Sequence, residues 1–361
     1  MQGTCHAGPK IECPLEAHRE EGLREARRNG HLTTKVLVTG ATGFIGQALT
    51  RKLLERGESV RALVRDETKL GALGLEVDDA VSGDITDLDA VERATRDVSI
   101  VYAIAGTFRE PGLSDQRYRE VNVESVRTMH EAAKRNGVKR IVHCSTCGIH
   151  GSINGKPADE THPVRPVGIY EQTKADGERL ALELGARNGI EVTALRPTPV
   201  YGPGDTRLLK LFKLASRRPI VMIGDGTAGY HLVYIEDLTD AFILAGTSPK
   251  ANGEAFLIGG PEIPSLNEIV LTLSSMNGHG DIGNVVRIPA KPMWLVGWMC
   301  EAMCRPLGVA PPLHRRRIEF FINNRAYNIE KAKRLLGYSP KIGVEDGLRR
   351  TAEWYRVQGL L

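Results

Sequence analysis

A tyrosine and a lysine four residues apart in "YEQTK" (170–174) are the pair in this sequence best suited to moving a proton. On a helix that spacing sets Tyr170 and Lys174 on one face. A phenol ordinarily titrates near pH 10, too high for a base at neutral pH. A neighbouring ammonium favours the phenolate and draws that value toward the working range. Y-x-x-x-K alone carries little weight, so its meaning depends on what the chain places beside it.

"VTGATGFIG" (38–46) puts Gly40, Gly43 and Gly46 between an apolar run and a helical one. The first glycine permits a tight turn, the second lets backbone approach a pyrophosphate, and the third lets the helix lie close to a sheet. The helix start at Phe44, Ile45 and Gly46 would offer free N–H groups and a partial positive charge to phosphates. This predicts a dinucleotide site. An oxidised nicotinamide beside Tyr170 would add to the effect of Lys174, so that a hydroxyl proton and a hydride could move together. In "LVRDE", Arg65 would pair with a 2′-phosphate and leans the choice to NADP. Asp66 leaves NAD open, and a plain surface charge is the alternative for Arg65. In "GDITD" (83–87), Asp84 with Ile85 is placed for the adenine; capping of the next helix suits Thr86 or Asp87 better than Asp84.

"HCSTCGIHG" (143–151) admits three readings: a metal site, a redox C-x-x-C, or a Ser-Thr pair ending a strand beside Tyr170. Zinc needs four ligands, and a second pair would have to come from the distant Cys300 and Cys304. A redox C-x-x-C opens a helix, whereas Cys144 falls within a strand-like run. No metal is expected, Cys144 reads as a small buried hydrophobe, and the role of Cys147 stays open. Thr146 is the residue of interest. Cys300 and Cys304 share a helix face and are expected to pack in the core.

The elements that would position these residues alternate. Strands are predicted at 35–39, 59–64, 75–84, 99–106, 139–146 and 191–197, with helices between them, including 118–137 and 170–189. That alternation indicates an α/β fold, a Rossmann-type doubly wound parallel sheet. After Pro197 the pattern loosens into shorter elements such as "HLVYI", "EAFLIG" and a helix near 265–276. We expect residues 1–34 to be a mobile extension with at most one fraying helix. Residues 35–200 would form the NAD(P)-binding domain. Residues 201–361 would form a smaller, interleaved substrate region that returns some segments to the first domain.

Composition sets limits on partners. With 361 residues, 41% hydrophobic and 25% charged, the chain is ordinary globular material. A net charge of +4 does not indicate nucleic acid, and "HRRR" (314–317) reads as a solvated face, with an anion-binding patch as the alternative. Six cysteines without a secretory signal point to free thiols in the cytoplasm. No apolar run reaches the roughly 18 residues that span a bilayer. "KPMWLVGWMCEAMC" (291–304) reads as a core or lid helix, with docking on a membrane surface as the alternative.

Taken together, "TGATGFIG", "YEQTK", "VNVESVRTMHEAA" (121–133), "LRPTPVYGPGD" (195–205), "HLVYIEDLTDAF" (231–242) and "YNIEKAKRLLGYSPK" (327–341) resemble the extended short-chain dehydrogenases/reductases of the NAD-dependent epimerase/dehydratase family. The resemblance runs over about residues 35 to 360. It implies that Tyr170 is the acid/base, that Lys174 binds the ribose and tunes Tyr170, and that Thr146 hydrogen-bonds the reacting oxygen. Ala105 and Pro197 would line the cofactor. Asn122 would brace the site, unless it simply faces solvent from a helix. Relatives are often dimers, so a homodimer is a further expectation, along with a small-molecule substrate.

Departures narrow the reaction. Dehydratases of the family carry Thr-Asp-Glu where this chain has Thr146-Cys147-Gly148, so that acid/base pair is missing. Nucleotide-sugar epimerases usually place an arginine where Tyr230 stands, with His231, Arg217 or Arg218 as the nearest substitutes. What remains resembles the 3β-hydroxysteroid dehydrogenase-like, dihydroflavonol reductase-like and hopanoid-associated branches, which take apolar substrates. The expected function is NAD(P)-dependent hydride transfer at a secondary alcohol or ketone. The alternatives are a nucleotide-sugar epimerase with tightly held NAD and a non-catalytic NADP-sensing protein, which would commonly have lost Tyr170 or Lys174.

Overall fold

The computed structural model describes residues 35–108, 112–276, 278, 285–304, 309 and 315–361. The expected N-terminal extension, with Cys5 and Cys13, lies outside the described residues, as do His314 and the side chains of Arg315, Arg316 and Arg317.

The short apolar runs form strands β1 (Lys35–Thr39), β2 (Ser59–Val64), β3 (Asp79–Ser82), β4 (Ile100–Ala103), β5 (Arg140–Cys144) and β6 (Glu191–Pro197). Two small parallel pairs follow, β7 (Val200–Tyr201) with β9 (Val233–Tyr234) and β8 (Ile220–Ile223) with β11 (Val285–Ile288). Between them β10 (Ala255–Ile258) returns to the main sheet, whose order is β10-β6-β5-β4-β1-β2-β3, parallel throughout. Sequence order reverses between β1 and β4, and in such sheets ligands bind at the carboxyl ends of the strands on either side of the reversal.

Helices cover both faces: α1 (Phe44–Glu55), α2 (Thr68–Ala72), α3 (Leu88–Thr95), α4 (Asp115–Arg119), α5 (Ser125–Arg135), α6 (Ile169–Asn188), α7 (Leu209–Ala215), α8 (Ile235–Thr247), α9 (Leu266–Met276), α10 (Ala290–Cys304), α11 (Arg315–Ile322), α12 (Glu330–Leu336) and α13 (Val344–Val357). Side chains alternate across a strand. Accordingly Val36 and Val38 pack with Leu49 and Leu53 of α1 and Phe242 of α8, while Leu37 packs with Val91 of α3, Met129 of α5 and Leu180 of α6. Both faces being buried explains why these strands read as nearly continuous apolar runs.

Four expected spans are shortened or interrupted. The third strand covers only 79–82, the fourth ends at Ala103, and the fifth ends at Cys144, which leaves Ser145 and Thr146 beyond the sheet. The helix expected over 118–137 begins earlier and contains a π-helical turn, Glu120–Glu124, between α4 and α5. The larger correction concerns α10. Gly297 is its one buried residue, and Cys300 and Cys304 are half-buried rather than in the core. A helix apolar on every side has no unique inward face, and α10 packs chiefly on α11.

Candidate active site

At the end of β1 the chain turns through Gly40 with φ +70°, where an added Cβ would come within 2.9 Å of the Ala105 backbone. A Cβ on Gly46 would fall 2.0 Å from the Gly40 carbonyl oxygen, so α1 starts directly against the turn. Gly43 precedes α1 and contributes no side-chain cap, which leaves the first amides of the helix to an outside acceptor. Backbone cradled this closely fits a dinucleotide pyrophosphate. Thr39, unremarked in the sequence, joins the two sides of the switch point: its Oγ1 accepts from the amides of Ile104 and Ala105, each at 3.1 Å. The available signal was a hydroxyl residue ending the apolar run Val36–Val38 just before the glycine turn.

Arg65 is exposed just past β2. Asp66 folds back on Thr68, accepting from its amide and hydroxyl, and these bonds hold its carboxyl below the usual range. Asp84 accepts from the Thr86 amide and hydroxyl through one oxygen and from Arg117 at 2.8 Å through the other. Despite partial burial, those bonds and the Arg117 charge keep it a carboxylate. The cap of α3 is Asp87, which accepts from Asp89.

Ile85, Ala105, Asn122 and Lys174 line one crevice, which brings four of the expected residues together. Lys174 is buried, and its ammonium donates to the Cys144 carbonyl at the end of β5. Burial pushes its pKa down, against the attraction of Glu178. Asn122 faces inward, not toward solvent. From the π-helical turn it accepts from the Thr107 amide at 3.0 Å and donates to the Thr107 carbonyl and to the Thr173 hydroxyl. A Cβ on Gly177 would lie 2.2 Å from the Asn122 carbonyl oxygen, so α6 rests on this turn backbone to backbone. Tyr170 is half-buried in the first turn of α6. Thr146 caps the single turn Cys147–His150 by accepting from Gly148 at 3.1 Å, which leaves its hydroxyl proton for another acceptor. Pro197 ends β6.

Behind Lys174 the same crevice reaches His130 and His143, both buried. Burial lowers His130 to about 4, and burial with the neighbouring Lys174 charge takes His143 well below its ordinary value. Both rings are therefore neutral at physiological pH.

Beside Tyr170 lies an aromatic cluster. Phe108 meets the Tyr170 ring edge to face at 4.9 Å. The Arg207 guanidinium lies 5.6 Å from the Phe108 centroid and 5.2 Å from that of Phe44, the first residue of α1. Sequence reasoning missed both Phe108 and Arg207, because three segments far apart in the chain meet here. His231, considered for anion binding, is buried, donates from Nε2 to the Gly260 carbonyl, and is held below its ordinary pKa by burial. Arg218 is bound to Ser274.

Cys144 is buried with its thiol pushed up, and Cys147 packs with Ile153, Leu257 and Tyr327. Among the described residues no group of three or more His, Cys, Asp or Glu could hold a metal ion, and no helix is long and apolar enough to cross a membrane.

Comparison with known proteins agrees with this architecture. Residues 36–259 match the model of the NAD dependent epimerase/dehydratase family. A 2-alkyl-3-oxoalkanoate reductase of Stenotrophomonas maltophilia is 30% identical over 88% of this chain and 98% of its own. A decarboxylating sterol-4-alpha-carboxylate 3-dehydrogenase of Saccharomyces cerevisiae is 28% identical over 88% and 97%. A 3beta-hydroxysteroid-dehydrogenase/decarboxylase of Arabidopsis thaliana is 29% identical over 76% of this chain, which spans about half of that longer protein (51%). The crystal structure of a UDP-glucuronic acid 4-epimerase from Bacillus cereus, with UDP-glucuronic acid and NAD, shares the fold at a TM-score of 0.70 and 24% identity, covering 90% of this chain and 100% of that one. The chain thus belongs to the NAD dependent epimerase/dehydratase family and is an enzyme of the extended short-chain dehydrogenase/reductase type.

Proposed function

We propose that the protein oxidises a secondary alcohol, or reduces the corresponding ketone, on a molecule with an apolar body and a carboxyl group one carbon from the reacting centre. The observation that carries the reaction type is the buried Lys174 on the Cys144 carbonyl, one helical turn from Tyr170. The names of the relatives support the substrate class. A sterol-4-alpha-carboxylate oxidised at position 3 and a 2-alkyl-3-oxoalkanoate both place carboxyl and oxygen in a β relation on an apolar skeleton.

A nicotinamide dinucleotide, when bound, supplies the hydride acceptor or donor. Gly40, Gly43 and the first turn of α1 (Phe44, Ile45, Gly46) would hold its phosphates; Asp84, Ile85, Ala105 and Pro197 would line it. Tyr170 takes the hydroxyl proton as the carbonyl forms, or returns it in reduction. Lys174, fixed by the Cys144 carbonyl, keeps a positive charge near the phenol and favours the phenolate. Thr146 donates its hydroxyl proton to the reacting oxygen. Asn122 holds the Thr107 backbone and α6 in register. Arg65, exposed while Asp66 is engaged by Thr68, supports a lean to NADP.

Tyr170→Phe is the direct test, with turnover and cofactor binding measured separately. Loss of general acid–base catalysis predicts a fall in turnover of about 100- to 10,000-fold with dinucleotide affinity retained. Undiminished turnover would remove Tyr170 from the chemistry. Tighter binding of NADH than NADPH in the same titrations would remove Arg65 from cofactor choice.

A further inference from the structure

We propose that Arg207 is the specificity-determining residue that receives the substrate carboxylate. The assignment rests on the dehydrogenase reading above and adds a named receptor to it. Three observations carry it.

The first is place. The contact of Arg207 with Phe108, and of Phe108 with Tyr170, sets the guanidinium two ring contacts from the phenol. In this assignment a β-hydroxy acid has its hydroxyl at Tyr170 and its carboxylate at Arg207.

The second is preorganisation. The Arg207 Nε donates to Asp205 and its Nη2 to the Val200 carbonyl at 3.0 Å, which fixes the plane of the fork. A guanidinium carries five N–H donors, more than these two bonds use. Asp205 is 2% exposed and also accepts from the Arg207 and Leu208 amides, so its charge is turned into the loop. The Arg207 side chain is 41% exposed and faces outward.

The third is surroundings. Phe44 and Phe108 flank the guanidinium and restrict its rotamers. A planar fork held between rings suits a carboxylate better than a mobile lysine would. The pyrophosphate of the dinucleotide offers the same anionic chemistry, since Phe44 opens α1. The experiment therefore separates the two.

The probes are a long-chain 2-alkyl-3-hydroxyalkanoic acid and its methyl ester, oxidised with NAD or NADP. kcat/KM is measured for the native enzyme, Arg207→Gln and Arg207→Lys, and NADH affinity is titrated on each, with thermal melts confirming that the variants fold. The native enzyme should prefer the acid. Arg207→Gln should lose roughly 10- to 100-fold on the acid and little on the ester. Arg207→Lys should recover part of the loss, and NADH affinity should not move. An unchanged acid-to-ester ratio in Arg207→Gln overturns the assignment while leaving the dehydrogenase reading intact. Weaker NADH binding with equal losses on both substrates assigns Arg207 to the pyrophosphate instead. If the native enzyme oxidises neither alcohol, the substrate reading itself fails and takes Arg207 with it.

Discussion

Around Lys174, several polar side chains are buried and tied to backbone: the ammonium to the Cys144 carbonyl, Asn122 to both backbone groups of Thr107, and Thr39 to the loop after β4. Along α10 the reverse holds, with Trp294, Leu295, Val296, Trp298, Met299 and Met303 between 41% and 69% exposed. The first region fixes polar groups through defined hydrogen bonds, the kind of placement that proton and hydride transfer require. The second offers apolar area with few fixed directions, which suits a variable hydrocarbon body more than a defined polar contact. Substitutions should accordingly be costly in one region and mild in the other.

The largest contrast should appear in acid. With His130 held at about 4, below its ordinary 6.5, the unfolded chain binds a proton between those values that the folded chain does not. Stability contributed by the neutral ring is present above pH 6.5 and is lost as pH falls toward 4, by about 3 kcal/mol. Denaturant unfolding of His130→Leu from pH 7 to pH 4 should show a flatter acid limb than the native protein; an identical limb would show that His130 titrates normally.

Next in size is Asn122→Ala. It leaves the Thr107 amide and carbonyl and the Thr173 hydroxyl short of a buried partner, which costs about 2 kcal/mol of stability. A loss below about 0.5 kcal/mol in urea unfolding would mean that water replaces the amide, and that the region is less rigid than drawn. The smallest effect belongs to Trp298→Ser on α10, where stability should stay within about 0.5 kcal/mol while KM for an apolar substrate rises. A large stability loss there would erase the contrast between the two regions.

The same division decides what could be read in the sequence. The glycine loop and Tyr170 with Lys174 each lie within one element, where helix and turn geometry fix the offsets. The strand positions were legible as nearly continuous apolar runs because both faces of the sheet are buried. Arg207, Phe108 and Phe44 meet only through the fold, so no spacing announces them. The role of Asn122 turned on a π-helical turn that apolar periodicity does not encode. For α10, hydrophobicity was visible but not its neighbour, so Cys300 and Cys304 were expected in a core that the helix does not enter.

β10 pairs with β6 along Ala255–Ile258, although these residues lie more than fifty positions after Pro197. Without them β6 would present an unpaired edge, and the Thr198 amide would lose its bond to Ile258. Recombination with a relative therefore cannot exchange everything after residue 200 as a cassette. A viable chimera keeps β6, β10 and α8 from one parent and takes only the insertions between them from the other. Residues 198–254 are thus an insertion anchored at both ends in the same sheet.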